Sequence, residues 1–367
     1  MEDGKGEVRK DMPYIFDVGD HCIYSVNVKM PEKAGLVWYY FELETERGMV
    51  YYGNNSKQLG GIGEMCFNSP SNSYQITVYN EDYKTPDWFK TGIAYQIFVD
   101  RFCNGNENGE FLGNRTDIIK RNWGEQPFYK AEQFGGEYKA NDFFGGNLKG
   151  VIKKLPYLKD LGISVIYLNP IFKAYSNHKY DTGDYETIDP MFGDEETFKE
   201  LCSKAKEMGI RIILDGVFNH TGSNSRYFNK YGEYDSVGAY QSKESPYYTW
   251  FRFMDWPDVY ESWWGMTTLP QIEEHSEECR KYLLSDKDAI VKRWIKNGAS
   301  GWRLDVVDEL PGFFVKELRE NVKKADKDAV IIGEVWEDAS NKSAYGERRE
   351  YFLGKELDSV MNYPMRR

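Results

Sequence analysis

A parallel α/β barrel behind a small β domain is the fold class that this sequence predicts. Three stretches carry the prediction: Ile212-Ile-Leu-Asp-Gly-Val-Phe-Asn-His220, Gly301-Trp-Arg-Leu-Asp-Val-Val307 and Val330-Ile-Ile-Gly-Glu-Val-Trp336. Each is an apolar, β-branched run that reaches a carboxylate, at Asp215, Asp305 and Glu334. Runs that are apolar on both sides suit strands buried on both faces of a parallel sheet. A carboxylate near the end of such a run is poorly placed for a core. It is well placed at the C-terminal rim of a parallel barrel, where that fold collects its active sites. One such acid could be structural. Three in succession, with Arg303 and His220 beside two of them, point to a carboxylate-driven site.

Residues 1–85 read as the β domain. Short runs at 22–28, 36–43, 49–52 and 74–79 are separated by Gly, Pro and Asn clusters, the punctuation expected between strands. Thr85-Pro-Asp-Trp88 marks the boundary. Residues 86–367 form the barrel domain, and a barrel needs about 250 residues. Its strands are expected at 94–99, 164–169, 211–217, 301–307, 329–335 and 359–363.

Helical periods lie between these strands. Leu148, Val151, Ile152, Leu155, Leu158 and Leu161 share one face. Phe198, Leu201, Cys202, Ala205 and Met208 share another, closed by Gly209. Ile290, Val291, Trp294 and Ile295 end at Gly298. Phe314, Val315, Leu318 and Val322 follow Pro311, which suits a first helical position. Repeated strand–helix units imply a parallel sheet. No GxGxxG or Walker pattern stands at a strand end, which favours a barrel over a dinucleotide-binding sheet. Two connections, 100–147 and a long insertion at 218–275, follow strands and should lie on the functional rim.

The net charge of −12 is spread along the chain without a basic stripe, which argues against a nucleic-acid partner. The aromatic share of 16% admits either large cores or platforms for flat ligands. Five scattered cysteines without CxxC spacing predict no disulfide framework and a reducing compartment. The N-terminus lacks a basic n-region and an apolar h-region, and no run reaches membrane-spanning length. A cytoplasmic protein without a membrane partner is therefore expected.

Taken in order, the motifs become specific. They are Ala94-Tyr-Gln-Ile-Phe-Val-Asp-Arg-Phe102, Phe144-Gly-Gly-Asn-Leu148, Asn177-His-Lys-Tyr-Asp181, Asp215-Gly-Val-Phe-Asn-His220 and Tyr260-Glu-Ser-Trp-Trp-Gly265. Leu269-Pro-Gln-Ile272, Gly301-Trp-Arg-Leu-Asp305 and Gly333-Glu-Val-Trp336 complete the set. With this order and spacing the chain resembles the α-amylase superfamily (glycoside hydrolase family thirteen), especially its neopullulanase, cyclomaltodextrinase and maltogenic amylase branch. The resemblance covers nearly the whole chain from about residue 88. Less specifically, the N-terminal segment resembles a starch-binding-like domain with a clipped start.

The resemblance implies a retaining glycosidase of α-1,4 glucosidic bonds, with α-1,6 as a further linkage, acting on maltooligosaccharides, cyclodextrins or pullulan. Such an enzyme needs two carboxyl groups about 5–5.5 Å apart, one ionised and one protonated. Adjacent strands about 4.8 Å apart can supply them. Asp305 is implied as nucleophile and Glu334 as acid/base. The residue spacing agrees, because Arg303 lies two residues before Asp305 and shares its side of the strand. Its guanidinium is expected to keep Asp305 ionised, while partial burial raises Glu334 toward a working acid. A pair that only stabilises the barrel is the alternative.

The resemblance also implies sugar contacts from His220 and His178, stacking by Tyr180, orientation of Arg303 by Asp215, and leaving-group support by Trp336. Trp263 and Trp264 read either as core or as platform. Asn104, Asn106, Gly145 and Asn147 resemble a calcium-binding loop in which Asn replaces Asp-type ligands; an Asn-Gly turn without metal is the other reading. Relatives imply a homodimer formed through the N-terminal domain.

The pattern departs from the family at its end. Arg367 follows the sixth strand by four residues, so the barrel is expected to be incomplete at its C-terminal end. Strands seven and eight, and the third catalytic Asp of an Asn-His-Asp motif, are not in the sequence. The alternative to an active glycosidase is thus a glucan-binding or inactive amylase-like fragment.

Overall fold

The computed structural model describes residues 6–58, 60–68 and 72–366. These form two compact units. One comprises the residues up to 84 with 340–342 and 348–355; the other holds 85–339, 343–347 and the residues from 356 onward.

The first unit is built from small antiparallel sheets. Tyr14–Val18 pairs with His21–Tyr24, and Gly35–Tyr39 with Tyr74–Val78. Phe41–Thr45, Gly48–Gly53 and Glu64–Cys66 form a three-stranded sheet. The run expected at 36–43 is in fact two strands. It leaves one sheet and enters another at Tyr40, so a single apolar stretch serves both layers. The strand expected at 22–28 stops at Tyr24, and the strands at Tyr14–Val18 and Glu64–Cys66 were not anticipated.

The second unit is a six-stranded parallel sheet, an incomplete α/β barrel. Its strands are β1 (Ala94–Ile97), β2 (Val165–Leu168), β3 (Arg211–Gly216), β4 (Gly301–Leu304), β5 (Val330–Val335) and β6 (Ser359–Asn362). They lie side by side in chain order, with β1 and β6 at the edges. Val165, Tyr167, Ile213, Val330 and Ile332 form one buried cluster, with Met361 packed against it. The fully buried indoles of Trp294 and Trp302 form a second apolar layer with Phe172, at ring separations of 5.0 and 6.3 Å.

Four helices follow the expected periods: α1 (Leu148–Asp160), α2 (Glu195–Glu207), α3 (Ile290–Lys296) and α4 (Gly312–Ala325). Asn147 and Asp194 cap α1 and α2, accepting hydrogen bonds from the amides of Gly150 and Thr197. Leu161 departs from its predicted face: as the residue that ends α1 it is 51% exposed. Pro311 stands one place earlier than expected, at the cap of α4.

All the sheet strands except β5 also end sooner than the apolar runs do. β4 stops at Leu304, because Val306 turns into the left-handed region at φ 41°. The antiparallel pair Phe172–Ala174 and Thr182–Ile188 escaped sequence reading, since register shifts interrupt the alternation that would reveal it.

The loop after β1 is pinned to α1 by backbone proximity. A Cβ on Gly150 would stand 1.8 Å from the Cys103 carbonyl oxygen. In an open helix Gly→Ala stabilises by about 1 kcal/mol. Here the sign should invert, and Gly150→Ala is expected to cost about 1–3 kcal/mol, the usual range for overpacking. Urea unfolding of the two proteins checks this; an unchanged or raised midpoint would show that the contact yields freely.

Candidate active site

Strand register assembles the site. Asp215 on β3 pairs with Arg303 on β4, and Leu304 pairs with Gly333 on β5. One residue further along, Asp305 and Glu334 stand abreast at the C-terminal ends of adjacent strands. Arg303 is the hub. Its Nη1 lies 2.9 Å from Asp215 Oδ1 and 2.7 Å from Asp305 Oδ1, and its Nη2 lies 2.8 Å from Glu334 Oε2. The guanidinium is only 4% exposed, so the cation is buried together with the carboxylates it holds.

Each carboxylate has further partners. Asp215 accepts hydrogen bonds from the hydroxyls of Tyr167 and Tyr180. Glu334 accepts from the Val306 amide at 3.0 Å, from Trp336 Nε1 at 3.1 Å and from the Tyr363 hydroxyl at 3.3 Å. The Val306 contact depends on the left-handed turn that ends β4, an uncommon conformation for a β-branched residue. A polar chain backs the site, with Gln96 donating to Asn169 at 2.9 Å and Asn169 to the Tyr180 hydroxyl at 3.3 Å.

The electrostatics reverse the expected order. Burial pushes Asp305 well above the ordinary carboxylate range; Asp215 and Glu334 add to this, and Arg303 opposes it. Burial also acts to raise Glu334, but Arg303 and the Val306 and Trp336 donors outweigh it, and its pKa falls below the ordinary value. Three carboxylates surround one cation, so full ionisation would leave excess negative charge in a buried place. Burial acts on Asp215 in the same direction as on Asp305, against the pull of Arg303 and the Tyr167 and Tyr180 donors. The expectation that burial alone would raise Glu334 missed the second guanidinium nitrogen, which sequence spacing could not place.

His220 is buried and its Nδ1 lies 3.2 Å from Asn219 Oδ1. Burial lowers its pKa to about 4, which keeps the ring neutral. The His178 pKa is lowered by burial as well, and its Nδ1 accepts from the Tyr180 amide at 3.1 Å. The Tyr180 and His178 rings lie 5.9 Å apart. Trp336 is 44% exposed above Glu334. The structure thus brings Asp215, Tyr180, Arg303, Asp305, Glu334 and Trp336 into one hydrogen-bonded group. Sequence reading missed Tyr167, Asn169, Gln96 and Tyr363 as members of it. Tyr167 and Gln96 sit in runs that read as ordinary strand, and only inter-strand register shows where they point.

Asn104, Asn106, Gly145 and Asn147 also come together. Asn147 Oδ1 accepts from the amides of Gly105 and Gly150, and its Nδ2 donates to Asn104 Oδ1 at 3.2 Å. Asn104 Oδ1 accepts from the Asn106 amide at 2.8 Å, and Asn106 Nδ2 donates to the Glu110 carbonyl at 2.7 Å. The side-chain oxygens of Asn104 and Asn147 are thus already engaged, and none of the four residues offers the anionic oxygen that calcium favours. As it stands, this donor set does not fit a resident ion.

The alpha amylase catalytic domain matches residues 96–367. An amylopullulanase of Thermoanaerobacterium saccharolyticum is 41% identical over 358 residues, which cover 90% of this chain and 27% of that protein. A cyclomaltodextrinase of Thermoanaerobacter pseudethanolicus is 40% identical over 292 residues, covering 77% of this chain and 44% of its own length. The type III pullulan hydrolase of Thermococcus kodakarensis superposes with a TM-score of 0.66 at 30% identity, covering 90% of this chain and 62% of that one. The chain therefore spans less than half the length of the two curated relatives. With strand order, rim carboxylates and sequence in agreement, this chain belongs to the α-amylase catalytic-domain family.

Proposed function

We propose that the protein is a retaining α-glucan glycosidase acting on α-1,4 and, as a further linkage, α-1,6 glucosidic bonds of maltooligosaccharides, cyclodextrins or pullulan. The observation that carries the reading is the pair Asp305 and Glu334, abreast on adjacent strand ends and both held by Arg303. In this reading Glu334 gives its proton to the glycosidic oxygen as the bond to C1 breaks. An Asp305 oxygen bonds C1, forming a glycosyl ester with inverted configuration. Water then gives a proton to Glu334 and attacks C1; the ester bond breaks, and Asp305 leaves as carboxylate with net retention. The reaction needs Glu334 protonated and Asp305 ionised, and positive charge developing at C1 favours the ionised form of Asp305. Neutral His220 and His178 supply hydrogen bonds to sugar hydroxyls, Tyr180 stacks on the ring, and Asp215 positions Arg303. A cytoplasmic location belongs to the same proposal and is supported by five unpaired thiols. Among the described residues, no helix is long and apolar enough to cross a membrane.

Product anomers followed by proton NMR test the stereochemistry. The α-anomer should appear first from maltotriose; initial β-anomer would end the retaining mechanism. Asp305→Asn should lower kcat by about three orders of magnitude or more, because an amide cannot form the glycosyl ester. A variant with wild-type turnover would refute the assignment.

The pH profile follows from the pair. Its acid limb belongs to the second proton, and Arg303 holds Glu334 low, so that limb should lie below the ordinary glutamate value. Arg303→Met removes the positive charge that lowers both groups, and the acid limb of kcat/KM should move upward. A limb that stays in place would separate Arg303 from the titration.

Metal dependence has its own test. Since the Asn104 and Asn147 side-chain oxygens are satisfied within the loop, EDTA should leave the melting temperature unchanged. A fall of several degrees that calcium restores would assign an ion there.

A further inference from the structure

Lys179 has no exposed surface, and it stands between the two side chains proposed to meet the sugar, His178 and Tyr180. Its backbone is left-handed at φ 64°, which is uncommon for a residue other than Gly, Asn or Asp. A buried ammonium is rare, and it is costly unless paired and hydrogen-bonded. This one is both. Its Nζ lies 2.7 Å from Asp189 Oδ2 and donates to the Ala174 carbonyl at 3.0 Å. The rings of Phe143 and Phe192 lie 5.1 and 5.3 Å from it.

These contacts tie a turn back to its own hairpin. Residues 175–181 join the antiparallel strands Phe172–Ala174 and Thr182–Ile188; Ala174 ends the first and Asp189 follows the second. Asp189 is itself fixed, since its Oδ2 accepts from the Ala174 amide at 3.1 Å and its Oδ1 from the Met191 amide at 2.9 Å. Within the turn the Lys179 amide donates to Ser176 Oγ at 2.9 Å, and the Tyr180 amide to His178 Nδ1 at 3.1 Å. The Tyr180 hydroxyl then reaches Asp215 on β3 at 3.0 Å. Rotation of the turn about residue 179 would pull the ammonium off Asp189 and strand both charges. Backbone strain of this kind persists where such contacts over-determine it, and it gathers at functional sites. Stability alone does not call for the pair, because apolar groups of similar volume often fill such a place at least as well.

We propose that Lys179 is a positioning residue for the sugar being transferred: its ion pair with Asp189 sets the left-handed turn that presents His178 and Tyr180 to the site. This rests on the glycosidase reading, which gives those two rings their ligand.

Removing one partner would orphan the other charge, so the chief variant of the whole chain removes both. Lys179→Met combined with Asp189→Asn should melt within a few degrees of the unaltered protein. Its KM for maltotriose should rise about tenfold while kcat stays within about threefold, because contacts kept from bound state to transition state act on KM. A loss of folded protein would instead lower kcat at constant KM. Asp189→Asn alone is the second variant; it keeps the Lys179 side chain and an oxygen for the Met191 amide, and it should raise KM as well. A double variant that no longer folds, or folded variants with unchanged KM, would assign the pair to stability and overturn the proposal.

A crystal structure of the double variant tests the same claim without sugar or turnover. Residue 179 should leave the left-handed region, and the Tyr180 hydroxyl should stand away from Asp215. A turn that keeps its φ and its Tyr180–Asp215 bond would overturn the positioning role whether or not the protein is an enzyme. Absence of maltotriose turnover by the unaltered chain would count against the glycosidase reading alone, and the geometry of the turn would still decide the role of Lys179.

Discussion

One guanidinium shared by three carboxylates organises the C-terminal end of this sheet. Arg303 touches Asp215, Asp305 and Glu334 from three neighbouring strands, and all four groups are largely withdrawn from water. Buried charges are costly unless paired and hydrogen-bonded. Removing the cation would leave several acids to repel one another in a place of low dielectric. The cluster therefore imposes register as well as charge: a slip of one residue in β4 would turn Arg303 to the opposite face and strand its partners. Tyr167 and Tyr180 serve the same constraint by donating to Asp215.

The arrangement links strand geometry to acid–base chemistry. Glu334 receives a backbone amide because β4 breaks at Val306, and it receives two side-chain donors from Trp336 and Tyr363. Those donors favour its ionised form in the free site, while Asp305 has only the guanidinium to offset burial and two like charges. In the proposed mechanism the roles of nucleophile and acid follow from position relative to a bound sugar. In that proposal the glycosidic oxygen accepts the Glu334 proton as its bond to C1 breaks.

Much of the fold was legible because its signals are local. Apolar runs marked all six strands of the parallel sheet, and helical periods marked α1 to α4. What escaped were features without a clean period. The pair Phe172–Ala174 and Thr182–Ile188 is interrupted by register shifts, and the strand from Gly35 crosses between sheets at Tyr40. Leu161 matched the apolar face of α1 in spacing but lies past the last turn, where the face no longer meets the sheet.

The sequence by itself determined which residues could do chemistry: acids at the ends of buried runs, an arginine two residues before one of them, and a family pattern spanning most of the chain. Strand alternation is a property of consecutive residues, so it survives translation into a string of letters. Tertiary structure alone decided that Arg303 reaches Glu334, that Val306 turns its amide toward it, and that the Trp263–Trp264 pair leans on His220 and Trp336. Those outcomes depend on distances between strands and loops far apart in the chain. Proton affinity and stacking are set by such through-space distances, which residue order leaves open.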